Sequence, residues 1–256
     1  MAFIDFLAFQ EGLLLIAAAL VGFVGISVWW AMQHNDAAGA SSALKSGAVP
    51  IGAVGAISTV LALWAETTWP FPAPMAAYNI FFTDVYLLFG MTLVVLSVTM
   101  AFRLKLAYAG MFAFVAGAIT MGYGWNGYIL SMTKDPLETF LMYLAFGGVG
   151  IFALPATLVT DHFLAHPDGT AFTFSVKAPS ARSRPAFQSA SRAVQPVVPG
   201  VAPTNTETVT APPAKFHLPV YVTVYSWFFI GVVGLAGYAA FAYLLATLPG
   251  HLMAAP

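Results

Sequence analysis

Residues 12–35 read GLLLIAAALVGFVGISVWWAMQHN, an uncharged run that starts directly after Glu11. Coiled as an α-helix at 1.5 Å per residue it covers roughly 36 Å, more than the ~30 Å hydrocarbon core of a bilayer. It lacks the strict polar–apolar alternation of a membrane barrel strand. It also makes a poor signal peptide. Asp5 and Glu11 precede it where basic residues belong, and the apolar stretch is too long. The run reads as a retained transmembrane helix.

Five more charge-free windows follow: Ser46 to Ala65, Val85 to Phe102, Leu106 to Thr133, Thr139 to Thr160 and Leu218 to Leu248. In lipid every backbone N–H and C=O must be bonded within its own segment, so each window is a helix. The expected fold class is all-α, a polytopic membrane bundle of six transmembrane helices with a long disordered-type cytoplasmic loop before the last helix. Composition agrees. The chain of 256 residues is 60% hydrophobic and 7% charged, against about 25% charged in an average soluble domain. A net charge of −1 with nine Lys and Arg leaves no concentrated basic surface, so no nucleic-acid partner is expected. The absence of cysteine excludes disulfides, zinc thiolate sites and cysteine nucleophiles.

The windows divide the chain into a five-helix membrane block at 1–163, with an interfacial loop at 66–84, a linker at 164–215, and the sixth helix with a short outer tail at 216–256. The linker is rich in Pro, Ser and Ala and holds eight of the seventeen prolines. Its few large apolar residues bury too little surface to offset ordering entropy, so it reads as a flexible arm, with draping over a partner as the functional alternative. Eight of the nine basic residues fall in the loops opposite the termini, and only Lys134 lies on the terminal side. The excess of Lys and Arg marks the cytoplasmic side. Both termini are expected outside, in the cell membrane.

All charged residues of the block stand at window edges, which argues against an intramembrane proton or ion path. The outward side collects Asp5, Glu11, Glu66, Asp84, Asp135 and Glu138. A short interfacial helix is expected from Pro74 to Phe82, with Thr83 and Asp84 capping the third span. The fourth span ends in MGYGWNGYIL, residues 121–130. An aromatic belt accounts for it. The sharper alternative is an outer-face pocket for a ligand or partner formed by Tyr78, Asn79, Asp84, Trp125 and Asn126. On the cytoplasmic side Asp161, His162 and His166 offer the only spacing suited to a metal, yet Pro167 and Gly169 end any helix there. No cofactor is required by the sequence, and no nucleophile motif is present. Small residues recur at helical spacing at Ala109, Ala113 and Gly117, at Gly231, Gly234 and Gly237, at Gly52 and Ala56, and at Ala18 and Gly22. Such stripes let helices approach closely in lipid.

Residues 78–90, YNIFFTDVYLLFG, resemble a stretch in a family of uncharacterised archaeal and bacterial multi-pass membrane proteins, with a Tyr-Asn entry, an Asp and an aromatic-Leu-Phe-Gly continuation. The resemblance extends over the five-helix block. It implies a shared outward feature at Tyr78, Asn79 and Asp84, and no activity. The function expected from the sequence is a non-catalytic membrane subunit that scaffolds a larger respiratory- or photosynthetic-type complex, with the bilayer and other membrane subunits as partners. The alternatives are a small transporter or channel, or a metal- or haem-binding redox protein.

Overall fold

The computed structural model describes residues 6–70, 77–166 and 218–253. The proposed linker at 164–215 lies almost wholly outside them. Six helices account for the described chain: α1 (Phe6–Gln33), α2 (Ala37–Thr68), α3 (Ala77–Ala101), α4 (Leu106–Ile129), α5 (Pro136–Ala165) and α6 (Val220–Met253). All six are long and apolar enough to cross a membrane, and no strand occurs among the described residues. The protein is a six-helix polytopic membrane bundle.

Short connections force successive helices to run antiparallel. Only His34, Asn35 and Asp36 separate α1 from α2, and residues 102–105 separate α3 from α4. Each of these turns reverses through a left-handed residue, Asn35 and Arg103, as does Ser131 after α4. Asp36 then caps α2, its Oδ1 accepting from Gly39 N at 2.7 Å. Each helix packs on the next, and α6 returns to pack on both α5 and α1. The six helices thus form a closed ring. One rim carries the starts of α1, α3 and α5 and the ends of α2, α4 and α6. The opposite rim carries Lys45, Arg103 and Lys105.

Residue size sorts as a bilayer dictates. Buried positions favour Ala, such as Ala40, Ala62, Ala236 and Ala240, whereas Phe23, Val49, Tyr108 and Val220 face outward, each more than 70% exposed. Close packing of small side chains, not hydrophobic collapse, holds helices together in lipid. The α4–α5 crossing is tightest. A Cβ on Gly117 would lie 2.5 Å from the Gly147 carbonyl oxygen and 3.0 Å from Gly150 Cα. The α1 stripe also packs, with Gly22 against Val233 and Ala18 against Gly237. The α6 stripe only partly does so: Gly231 and Gly234 have no neighbour within 4 Å of a built Cβ, because their side of α6 faces away from α1 and α5. Ala56 likewise points outward, while Gly52 meets Ser97 of α3.

Polar clips supplement the packing. Ser97 Oγ donates to the Ala48 carbonyl at 2.7 Å, joining α3 to α2. Tyr143 Oη donates to the Phe81 carbonyl at 2.7 Å, joining α5 to α3. The Tyr225 hydroxyl donates to the Phe152 carbonyl, joining α6 to α5. Gln33 Nε2 donates to Thr223 Oγ1 at 3.3 Å, joining α1 to α6.

Two expectations need correction. Asp84 does not cap α3, because the helix already begins at Ala77 and runs unbroken through Thr83 and Asp84. A separate interfacial helix reaching Phe82 is therefore absent from Ala77 onward, and its first part, 74–76, lies outside the described residues. Nor do all acidic residues mark helix ends, although Asp36 and Asp135 do stand at the starts of α2 and α5. Glu11 stands in the second turn of α1 and is 6% exposed. The helices outrun the uncharged windows, since a carboxyl near a helix end is tolerated wherever a neighbouring helix offers it a partner.

Candidate functional site

The rim that holds Glu11 gathers polar side chains from every helix. Two features result: a carboxyl cluster between α2, α3 and α4, and a cavity inside the ring.

The cluster forms because Glu66, Thr83, Asp84 and Tyr123 occupy matching levels of three adjacent helices. Thr83 is fully buried, with its hydroxyl against Glu66 Oε1 and the Asn79 carbonyl. Having one proton, it donates to one of them at a time. The Glu66 carboxyl also faces that of Asp84. Asp84 Oδ2 accepts from the Tyr123 hydroxyl at 2.5 Å, the short length expected when a carboxylate is the acceptor. Gly127 explains how α4 comes so near, since the Phe81 ring of α3 fills the place its side chain would take.

Of the residues expected from the sequence, the structure brings Asn79 and Asp84 into this cluster. Tyr78 is half-buried, with its ring edge-on to Phe82 at 5.7 Å. Trp125 is exposed and packs on Tyr128 and Phe140 along the outer side of α4 and α5. Asn126 is exposed and donates back to the Gly122 carbonyl at 2.8 Å. Glu66, Thr83 and Tyr123 are the partners that sequence reasoning passed over. Their signal was present: Tyr123 belongs to the MGYGWNGYIL run, and Glu66 ends the second window.

Inside the ring lies a cavity of about 270 Å³ to which all six helices contribute. Its walls are largely apolar, among them Ile51, Phe89, Ala113, Phe146 and Phe229. Its polar wall near the carboxyl rim comes from Gln10 and Glu11 of α1 and Tyr143 of α5. Toward the other rim Trp29 joins the lining, with its ring 4.7 Å from that of Trp227. Tyr243 of α6 sits against Thr139 and within electrostatic reach of Glu11. Gln10 is 4% exposed and its Nε2 has no hydrogen-bond partner. Trp29 Nε1 has none either. The Glu66–Asp84 cluster stands outside this lining.

At the opposite rim both Asp161 oxygens are engaged. Leu106 N donates to Oδ1 at 2.9 Å and Ala107 N to Oδ2 at 2.8 Å. Asp161 of α5 thus caps the start of α4, supplying acceptors to two of the N–H groups a helix leaves unpaired. The His162 and His166 rings lie 4.6 Å apart, and His166 Nδ1 is 2.9 Å from the His162 carbonyl. No group of three or more metal-ligating side chains gathers among the described residues.

No curated protein and no solved structure matches the chain. Residues 1–171, spanning α1 to α5, match the model of a family described as a protein of unknown function (DUF981), and the chain belongs to that family.

Proposed function

We propose that the protein is a membrane carrier for a small lipid-soluble molecule, which it holds inside the six-helix ring. The supporting observation is the interior cavity walled by all six helices. A bundle that serves only as scaffold gains nothing from a void. Apolar space left unfilled is costly, because the side chains that line it forfeit packing contacts. An occupant removes that cost. The scaffold expectation rests on a membrane body with no deep charge, no cofactor ligands of its own and one long flexible arm, and it does not call for an interior cavity. Neighbouring subunits remain compatible with a carrier. The same reading turns the carboxyl rim away from the cytoplasm, because Lys45, Arg103 and Lys105 mark the other rim.

Purification of the full chain in mild detergent, followed by mass spectrometry of its organic extract, tests the proposal. About one equivalent of an apolar compound per chain is expected, enriched over bulk lipid. An extract indistinguishable from bulk lipid, together with other polypeptides in fixed ratio, would return the protein to the scaffold reading.

A further inference from the structure

We infer that the basic rim holds the phosphate of an anionic phospholipid at the corner where α2 meets the α3–α4 turn, between Lys45, Arg103 and Lys105. The inference concerns the outside of the bundle and does not depend on what the ring holds.

Helix register brings the three cations to one corner. A Cβ on Gly52 of α2 would lie 2.3 Å from Ser97 Oγ of α3, and one on Gly47 would lie 3.3 Å from Met100 Cε. Lys45 precedes Gly52 by seven positions, close to two full turns, so it leaves α2 on the same side, toward α3. The two helices run antiparallel. From the Gly47–Met100 contact, Lys45 lies about 3 Å further along α2, and the α3–α4 turn lies in that same direction along α3. The turn itself is pinned, because Leu104 N donates to the Thr99 carbonyl at 2.9 Å and Arg103 holds a left-handed conformation between them. Lys105 follows two residues later as the residue that opens α4. Two residues span at most about 7 Å, a separation that long basic side chains bridge.

The chain does not neutralise this corner. Lys45, Arg103 and Lys105 are all exposed, and none forms an ion pair with an acidic side chain among the described residues. The acids of that rim are already engaged. Asp161 accepts from Leu106 N and Ala107 N, and Asp36 accepts from Gly39 N. Even with Asp161 counted against them, the cations leave an excess of positive charge. Residues 164–215 contain five basic and two acidic residues, so that segment offers no surplus of acid. The countercharge therefore comes from outside the chain.

The surroundings select a lipid as its source. Residues 102–108 read FRLKLAY, and Phe102, Leu104 and Tyr108 are exposed beside the two cations. At the end of two spanning helices, these apolar side chains meet acyl chains while Arg103 and Lys105 extend to the phosphate level. A soluble phosphate would use the cations and none of this apolar border. Phosphatidylcholine carries its own cation next to its phosphate, so a lipid with net negative charge gains more from three free cations.

Native mass spectrometry of the full chain, titrated in detergent with phosphatidylglycerol or phosphatidylcholine, tests the inference. The first phosphatidylglycerol should bind about a hundredfold more tightly than phosphatidylcholine, from three contributions of about fivefold each. Lys45→Gln, Lys105→Gln and Arg103→Asn, which suits the left-handed backbone, should each weaken it about fivefold. The triple variant should bind both lipids alike, and Lys134→Gln at the opposite rim should behave as wild type. In wild type, raising the salt concentration should narrow the gap between the two lipids, a measurement that needs no variant. Equal binding of the two lipids by wild type overturns the inference. So does a preference that salt leaves unchanged, that survives in the triple variant, or that Lys134→Gln abolishes. If millimolar inorganic phosphate displaces phosphatidylglycerol, the ligand is a soluble phosphate and the lipid assignment falls.

Discussion

Replacing Gly117 with Ala should loosen the ring at its tightest seam. The new Cβ would stand 2.5 Å from the Gly147 carbonyl oxygen and 3.0 Å from both Gly150 Cα and Ile151 N. All three are backbone atoms, so no side chain can swing aside. Ordinary contact begins at 3.4 Å, and α4 and α5 must part locally by about 0.9 Å. Overpacking of this kind costs about 1–3 kcal/mol, and the upper end applies where backbone blocks relief. Ala is the better helix former by about 1 kcal/mol, which leaves a net loss of about 2 kcal/mol. The same change at Gly231 meets nothing within 4 Å and should be neutral or slightly stabilising.

Equilibrium unfolding in mixed micelles with increasing sodium dodecyl sulfate, followed by circular dichroism, measures both variants. A displaced midpoint for Gly117→Ala beside an unmoved one for Gly231→Ala is expected. Equal midpoints would refute the assignment of the α4 stripe to helix packing and of Gly231 to the outer surface of α6. A loss confined to Gly231→Ala would point instead to an intermolecular contact through α6.

Removing the trans cap with Asp161→Ala should cost about 1–2 kcal/mol, the worth of a side chain that satisfies helix N-terminal donors; the same unfolding assay measures it, and Asp161→Asn should retain part of the stability. Asp84→Asn and Tyr123→Phe should each lose about 1–2 kcal/mol through one shared hydrogen bond, so their double variant should lose less than the sum; strict additivity would mean the pair does not act together. Exposed Trp125 and Asn126 should tolerate Ala within about 0.5 kcal/mol in that assay. Because the chain has no cysteine, Ser131→Cys and Ser42→Cys, exposed at opposite rims, give clean reporters of orientation: on intact cells an impermeant maleimide should label the first and spare the second, and the reverse pattern would invert the topology.

The six helices were legible because a bilayer imposes its own length scale. Uncharged windows such as Leu106 to Thr133 need no tertiary knowledge to be read. The rims were less legible for a related reason. Treating each charge as a boundary places Glu11 and Asp84 outside the helices, yet the backbone stays helical past them. Whether a carboxyl ends a helix or lies within it depends on what the adjacent helix supplies. Tyr123 lies 39 residues from Asp84 in sequence, and local spacing carries no trace of that pairing. Asn79 and Asp84 were found through local composition, whereas Thr83 and Glu66 gain their meaning only when α2 and α3 stand side by side.

Ring closure is the largest feature that no local pattern announces, and it decides what the interior can do. The family match covers α1 to α5, whereas Tyr225, Phe229 and Val233 of the cavity lining belong to α6. Without α6, the inner faces of α1 and α5 would open sideways to lipid, and the void would become a groove that any acyl chain could enter. With α6 in place, Val233 meets Gly22 across the seam and the Tyr225 hydroxyl is fixed to α5, which narrows the way in from the side between α1 and α5. The α1–α6 seam is joined near one rim by the 3.3 Å bond from Gln33 to Thr223 and by the Trp29–Trp227 ring contact. The first is a long bond between neutral groups, worth about 1 kcal/mol at most. Gln33→Ala should therefore speed the entry of a brominated chain without lowering stability appreciably. That separation of rate from stability would mark α1–α6 as the side through which the interior fills.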